Sequence, residues 1–309
     1  MPKSDGLHHI TAIAGEPKRH VAFYAGVLGL RLIKRTVNFD VPTTWHLYYG
    51  DELGAPGTAL TFFVWEHLPK AQRGAGEAQE IVFAVPPGSL RFWEERLKQN
   101  GYAVSPLAPR FGEQGIGCTG PDGHRLEFVA TDCPRQGPGW SNGEVPKEHT
   151  IRGFHGVTLE VDNPSRTATV LSEVFGYAAV GQEGPRTRLR AAGDGIASIV
   201  DLRASSGARS RQGIGSVHHI AFRANNDEDE LAMRSRALEL GLAATEPISR
   251  LYFRSVYFRE PEGTLFEIAT DGPGFTADEP KEELGRNLKL PPWHEPRRSE
   301  IEAALPALE

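Results

Sequence analysis

Leu7-His8-His9-Ile10-Thr11 returns near the far end of the chain as Val217-His218-His219-Ile220-Ala221. Two copies of so particular a pattern point to an internal repeat, and a repeat governs how the rest of the chain is read. Moving outward, four strand-like runs stand at comparable places: LHHITAI from Leu7, EIVFAV from Glu80, FHGVTLEV from Phe154 and VHHIAFRA from Val217. Each precedes a helical stretch, such as HVAFYAGVL or SLRFWEERLKQN, with apolar residues three and four apart. Those stretches end in Leu28-Gly29-Leu30, Asn100-Gly101-Tyr102, Phe175-Gly176-Tyr177 and Leu240-Gly241-Leu242, the glycine and following apolar residue of a helix C-cap.

After each glycine the pattern alternates as half-buried strands do. The unit endings PDGHRLEFVATD, from Pro121, and PEGTLFEIATD, from Pro261, are copies. Each unit therefore reads as strand, helix and about three strands, over residues 6–67, 78–132, 152–203 and 215–271, with a tail over 272–309 as a possible lid. One unit leaves a face of its small sheet uncovered, so units must pair. The predicted fold is α+β: four βαβββ modules in two cupped, barrel-like sheets, the first module paired with the fourth and the second with the third.

The chain of 309 residues is long enough for two cores, and 39% hydrophobic with 24% charged residues is ordinary for a globular protein. No apolar run reaches the roughly 20 residues of a membrane span, and MPKSDGLHHI lacks a secretion signal's apolar segment, so a cytoplasmic location is expected. Cys118 and Cys133 form no CxxC pair and read as two reduced thiols. The net charge of −6 is spread through interleaved acids and bases, which excludes the basic stripe of a nucleic-acid binder.

Spacing singles out a metal site. Counted without gaps, His9 precedes Gly29 by 20 residues, and the same step back from Gly101 and Gly176 reaches Ile81 and Gly156. The fourth unit, with an insertion of two, supplies His219. Four residues after a turn glycine the units place Thr61, Glu127, Ile199 and Glu267. The outer units thus offer His9, His219 and Glu267, two imidazoles and a carboxylate, a facial set that leaves positions open on a ferrous ion. The inner units offer Ile81, Gly156, Glu127 and Ile199, which hold no divalent ion.

Strand neighbours face opposite ways, so one histidine of each doublet is expected as a ligand, with His8 and His218 either donors to it or packing histidines. His155 with His219 and Glu267 makes a rival triad, but alignment of Val157-Thr158 with Ile10-Thr11 matches His155 to His8. His46 faces the cavity or the strand edge. Ser299 to Glu302 reads as a capping box for a short helix, and Trp293-His294 as a lid or a tail anchor.

The LHHIT opening, FYAGVLGLRL, KRTVNFD, TTWHLYYGD, GTLFEIATDGPGF and LPPWHEPRR resemble, over nearly the whole chain, the vicinal oxygen chelate superfamily of glyoxalase I, extradiol dioxygenases and the fosfomycin and bleomycin resistance proteins. Within it the chain resembles the ring-cleaving dioxygenases of hydroquinone and chlorohydroquinone. That resemblance implies His9, His219 and Glu267 as iron ligands, and pocket roles for Thr11, Arg250, Tyr257, His8 and His218. Arg250 would hold an anionic oxygen and Tyr257 would donate to a developing one; a surface ion pair and a packing tyrosine are the plainer readings. It further implies Fe(II) as cofactor, with Mn(II) as the other possible ion, and a small aromatic substrate with dioxygen, no nucleic acid or membrane partner, and a homo-oligomer. A glyoxalase-type isomerase, which needs a fourth ligand where Thr61 stands, and a drug-sequestering barrel are the alternatives.

Overall fold

The computed structural model of the chain describes residues 3–132, 139–141, 143–193 and 195–308. The first unit runs through β1 (Leu7–Ala14), α1 (Pro17–Val21), β2 (Arg31–Val37), β3 (Trp45–Gly50) and β4 (Ala59–Val64). The second holds β5 (Glu77–Val85), α2 (Leu90–Gln99), β6 (Val104–Pro106), β7 (Gly115–Thr119) and β8 (Arg125–Ala130). The third holds β9 (Gly153–Val161), α3 (Pro164–Phe175), β10 (Ala178–Glu183), β11 (Arg186–Arg190) and β12 (Ile199–Ala204). The fourth holds β13 (Val217–Ala224), α4 (Asp227–Glu239), β14 (Ile248–Ser249), β15 (Arg254–Arg259) and β16 (Leu265–Thr270).

Local chemistry starts and stops these elements. The side chains of Asn163 and Asn226 accept from backbone N–H groups in the first turns of α3 and α4, and four acidic residues open α4 where the helix dipole favours them. All four repeat glycines take the left-handed conformation, with φ between 68° at Gly29 and 83° at Gly101. The helix after β1 departs from the simple expectation: beyond α1 it widens into a π-helical segment over Ala22–Val27, whose consecutive aromatics Phe23 and Tyr24 are both buried.

The strands form two eight-stranded sheets, in the orders β14-β15-β16-β13-β1-β4-β3-β2 and β10-β11-β12-β9-β5-β8-β7-β6. The first and fourth units therefore build one cup, and the second and third build the other, each joined by an antiparallel seam between opening strands. Those strands are central: every residue of β1 and β5 is buried. Helices cover the backs. Phe175 at the end of α3 stacks 4.0 Å from Phe222 on β13, and Trp93 on α2 stacks 5.1 Å from Phe128 on β8.

Register corrects two expectations. Along β1 and β13, Leu7 pairs with Phe222, His9 with Ala221, Thr11 with His219 and Ala12 with Val217, so His8 and His218 are each the extra residue of a β-bulge. Strict alternation fails at both doublets. The seam between β5 and β9 has register shifts at Gln79 and His155 in the same way. Aligned on the bulges, the inner cup matches His9 with Glu80 and His219 with Gly156, and the parallel neighbours match Thr61 with Glu127 and Glu267 with Asp201. The gap-free count names Ile81 and Ile199 instead. It fails because the second unit has one more residue between bulge and glycine, and the third has a longer turn, with Ala197 at φ 60°, ahead of β12.

The tail binds the outer cup. Lys34 is buried and its ammonium reaches Asp278 at 2.7 Å and Glu279 at 2.5 Å, while Trp45 Nε1 donates to the Pro306 carbonyl. A short helix α5 (Arg298–Ala304) forms, but Ser299 lies inside it and makes no cap; Arg298 bridges Glu295 and Glu302 instead. Cys118 is buried and burial pushes its thiol up to about 12, as suits a packing residue; Cys133 lies outside the described residues. No helix among the described residues is long and apolar enough to cross a membrane.

Candidate metal centre

β1, β13 and β16 lie side by side in the outer cup, which brings His9, His219 and Glu267 together. One ligand atom from each lies within 4.8 Å of the others, the single such grouping of three among the described residues. All three side chains are buried, Glu267 completely. His9 Nε2 is 3.3 Å and His219 Nε2 2.9 Å from Glu267 Oε2. Neither contact has hydrogen-bond geometry, so Oε2 is a buried carboxylate oxygen without a donor. Oε1 is held by Ser255 Oγ at 2.5 Å. Such an oxygen costs several kcal/mol unless a cation or donor meets it, and two imidazole nitrogens facing it complete a ligand set for a divalent ion. Burial alone pushes the Glu267 carboxyl up; the His9 and His219 imidazoles outweigh it and hold it well below the usual range.

The bulges bring the companion histidines against the central ones. His8 Nδ1 lies 2.9 Å from His9 Nδ1, and His218 Nδ1 lies 2.8 Å from His219 Nδ1. Burial, and next the neighbouring imidazole, lower both companions to about 3, so they are neutral at ordinary pH. His218 lines the cavity beside the centre, whereas His8 packs against Phe253 at 5.2 Å.

That cavity holds about 250 Å³, the scale of a single substituted ring, and lies against His9 and His219. Phe39, Phe63, Trp65, Phe253 and Leu265 form its apolar wall. Arg250 and Tyr257 also line it: the guanidinium Nε donates to the Tyr257 hydroxyl at 3.3 Å and Nη1 pairs with Asp40 at 3.2 Å. Arg250 thus combines the pocket position with the ion pair of its plainer reading. Thr11 lines the cavity and shares a 2.8 Å hydrogen bond with Thr61. His46 faces the cavity, although register alone left it undecided.

Other residues go elsewhere. His155 stands 2.9 Å from Glu113, apart from the centre. Arginines meet the inner-cup carboxylates: Glu80 is held by Arg186 and Arg203, Asp201 by Arg188 through two bonds of 2.8 and 2.9 Å, and Glu127 by Arg110. Guanidinium groups supply the positive charge there. Trp293 and His294 do not reach the cavity wall; His294 Nε2 is 2.9 Å from the Phe39 carbonyl, which makes the tail an anchor for the rim. Sequence reading passed over Ser255, Phe253, Asp40 and Tyr48. Ser255 had a usable signal, since it lies two residues before Tyr257 on β15 and shares its face.

Four βαβββ units closed into two cups, with a His-His-carboxylate cluster in one, define a vicinal oxygen chelate protein. The chain belongs to the Glyoxalase/Bleomycin resistance protein/Dioxygenase superfamily, whose sequence profile matches residues 6–128 and 153–268. It is 45% identical over 303 residues, 98% of this chain and 96% of that protein, to MhqO of Bacillus subtilis (strain 168), provisionally named a ring-cleaving dioxygenase. It is 33% identical over 304 residues, 96% and 94% of the two chains, to the chlorohydroquinone/hydroquinone 1,2-dioxygenase of Sphingobium indicum. A crystal structure of a provisionally assigned dioxygenase from Bacillus subtilis subsp. subtilis str. 168 is similar with a TM-score of 0.96 and 44% identity, covering 100% of this chain and 99% of that one.

Proposed function

We propose that this chain is a metal-dependent dioxygenase that opens the ring of a hydroquinone-like aromatic. The observation that carries the reading is the convergence of His9 Nε2, His219 Nε2 and the undonated Glu267 Oε2 beside an aromatic-walled cavity. Similarity to a hydroquinone 1,2-dioxygenase supports the substrate class. Three donors suit Fe(II), with Mn(II) as the second ion the set accepts; His9, His219 and Glu267 would hold it, and it would supply binding and activation of a substrate oxygen and dioxygen.

The chain's own groups do the rest. With Nε2 of His9 and His219 serving as metal ligands, their protons would sit on Nδ1, which would donate to Nδ1 of His8 and His218 at 2.9 and 2.8 Å. The companions thereby fix both ring planes. His218, also on the cavity wall, presents a neutral imidazole to the substrate. Arg250 holds a substrate oxyanion with the donors it does not spend on Asp40 and Tyr257. Burial, and next the Glu267 charge, raise the Tyr257 phenol, so it stays protonated and donates to oxygen in the cavity. Phe63, Trp65 and Phe253 exclude water from the ring faces.

The test is anaerobic loading of metal-free protein with ferrous iron, followed by oxygen-electrode measurements with hydroquinone and chlorohydroquinone. The expected result is one dioxygen consumed per substrate and a ring-opened product heavier by both oxygen atoms. No uptake with any dihydroxybenzene overturns the reading, and oxygen-independent isomerisation with zinc or nickel would replace it.

A further inference from the structure

Four side chains in the outer cup are joined by three hydrogen bonds whose two ends face the same cavity. Tyr48 Oη lies 3.0 Å from His46 Nδ1, His46 Nε2 lies 2.9 Å from Thr61 Oγ1, and Thr61 Oγ1 lies 2.8 Å from Thr11 Oγ1. Tyr48, His46 and Thr11 line the cavity, and Thr61 is completely buried behind them. Tyr48 is paired with Thr61 across β3 and β4, Thr61 with Thr11 across β4 and β1, and Thr11 with His219 across the seam. The chain therefore begins beside a metal-centre histidine and ends two strands away.

Proton counting leaves this chain two orders, since Thr61, completely buried and bonded to His46 and Thr11, spends its own proton inside it. Neutral His46 carries one N–H, and burial keeps it neutral by lowering its pKa well below the usual value. The three hydroxyls bring three more protons, and three of the four are used by the internal bonds. One remains. If Thr11 points it into the cavity, then Tyr48 donates to His46, His46 to Thr61 and Thr61 to Thr11, and the Tyr48 oxygen is left as an acceptor. The reverse order makes Tyr48 the donor and Thr11 the acceptor. In either order one end of the chain gives a hydrogen bond and the other takes one. An aromatic with one ionised oxygen near the centre and a neutral hydroxyl across the ring matches the first order, accepting from Thr11 and donating to Tyr48.

We propose that Tyr48 binds the substrate hydroxyl remote from the metal centre, and that His46 and Thr61 are positioning residues that orient Tyr48 through the chain to Thr11. This inference rests on the dioxygenase reading for its substrate. It also accounts for Thr61, whose oxygen is engaged by His46 and Thr11 and so withdrawn from the ligand set.

The experiment compares anaerobic binding of hydroquinone with that of phenol, which lacks the remote hydroxyl, to metal-loaded and metal-free protein. One hydrogen bond is worth about tenfold in affinity, so wild-type protein is expected to prefer hydroquinone by about that factor. Tyr48→Phe is expected to reduce the preference to within about twofold while phenol affinity stays unchanged. His46→Leu is expected to lose it too, and His46→Gln, whose amide offers both a donor and an acceptor, to keep most of it. Thermal melts of each variant check folding. Equal loss of affinity for both ligands in Tyr48→Phe, an unaltered preference in it, or no preference in wild-type protein overturns the inference. Preferential hydroquinone binding without oxygen uptake by the iron-loaded wild type overturns the dioxygenase reading and leaves the Tyr48 contact standing.

Discussion

Glu127 holds in the inner cup the register position that Thr61 holds in the outer one: Thr61 pairs with Thr11 across β4 and β1, and Glu127 with Val82 across β8 and β5. Neither is a free ligand. Thr61 is tied to Thr11 and His46, and Glu127 is clamped by Arg110. The two cups thus use one scaffold for different charge balances. Arginines neutralise the carboxylates of the inner cup, while the outer cup leaves Glu267 Oε2 undonated between two imidazoles.

Glu267→Gln replaces the one anionic donor of the centre by an amide of nearly equal volume. Metal analysis after iron loading and gel filtration is expected to find the ion lost and the far-UV spectrum unchanged. Glu127→Gln is expected to retain the wild-type metal content. The opposite pair of results would move the centre to the other cup.

Ser255 is a quieter test of the same centre. Its hydroxyl, completely buried, donates to Glu267 Oε1 and leaves Oε2 directed at the imidazoles. Removing such an outer partner typically weakens metal binding by about 10–100-fold. Ser255→Ala is expected to show that loss in chelator competition with little change in melting temperature, and unchanged affinity would mean that Glu267 is oriented by packing alone.

Much of this was readable in the chain itself. Apolar periodicity and four Gly-apolar helix ends gave the repeated unit, and all four glycines proved left-handed. The repeated doublets with the copied Glu267 strand named the three residues that converge. The errors arise where residues are inserted, one at each bulge and in the second unit and two before β12. Alternation cannot foresee a bulge, so it puts His8 and His218 on the other face or the strand edge, whereas the bulges bring them against His9 and His219. Gap-free counting passed over Glu80 and Asp201 because extra residues sit in turns, where length is free to vary. The cavity wall was hidden for another reason: Phe39, Asp40 and Phe253 lie outside or at the ends of strands, where no period marks an inward face.

Acid should loosen the inner cup. Burial alone pushes the Glu113 carboxyl up, but His155 and then Arg188 outweigh it and hold it at about 2, below its ordinary 4.5. A carboxyl lowered by folding stabilises fully above its unfolded value and loses that contribution as pH falls toward the folded one. After allowance for solvent screening this amounts to about 1–2 kcal/mol. Glu113→Gln is expected to melt lower than wild type near neutral pH and to converge with it as pH drops from about 5 to about 2.5. A gap that stays constant across that range would show that Glu113 contributes through packing alone.

The rim of the cavity depends on the tail. Phe39 and Asp40 lie in the segment between β2 and β3 and face the cavity, where Asp40 pairs with Arg250. From outside, His294 Nε2 bonds the Phe39 carbonyl and the Trp293 ring packs edge-on against Phe39 at 5.6 Å. Trp293 is 53% exposed, so its burial adds little and the His294 bond is the main fastening. His294→Ala frees the carbonyl to meet water, which costs about 1 kcal/mol and lets the rim move. A rim that grips substrate and transition state alike contributes uniform binding, and the loss is expected to fall on that contribution. The expected outcome is a KM for hydroquinone raised about three- to tenfold with kcat nearly unchanged and metal content intact. A fall in kcat at constant KM would instead show that the tail acts on the reacting geometry.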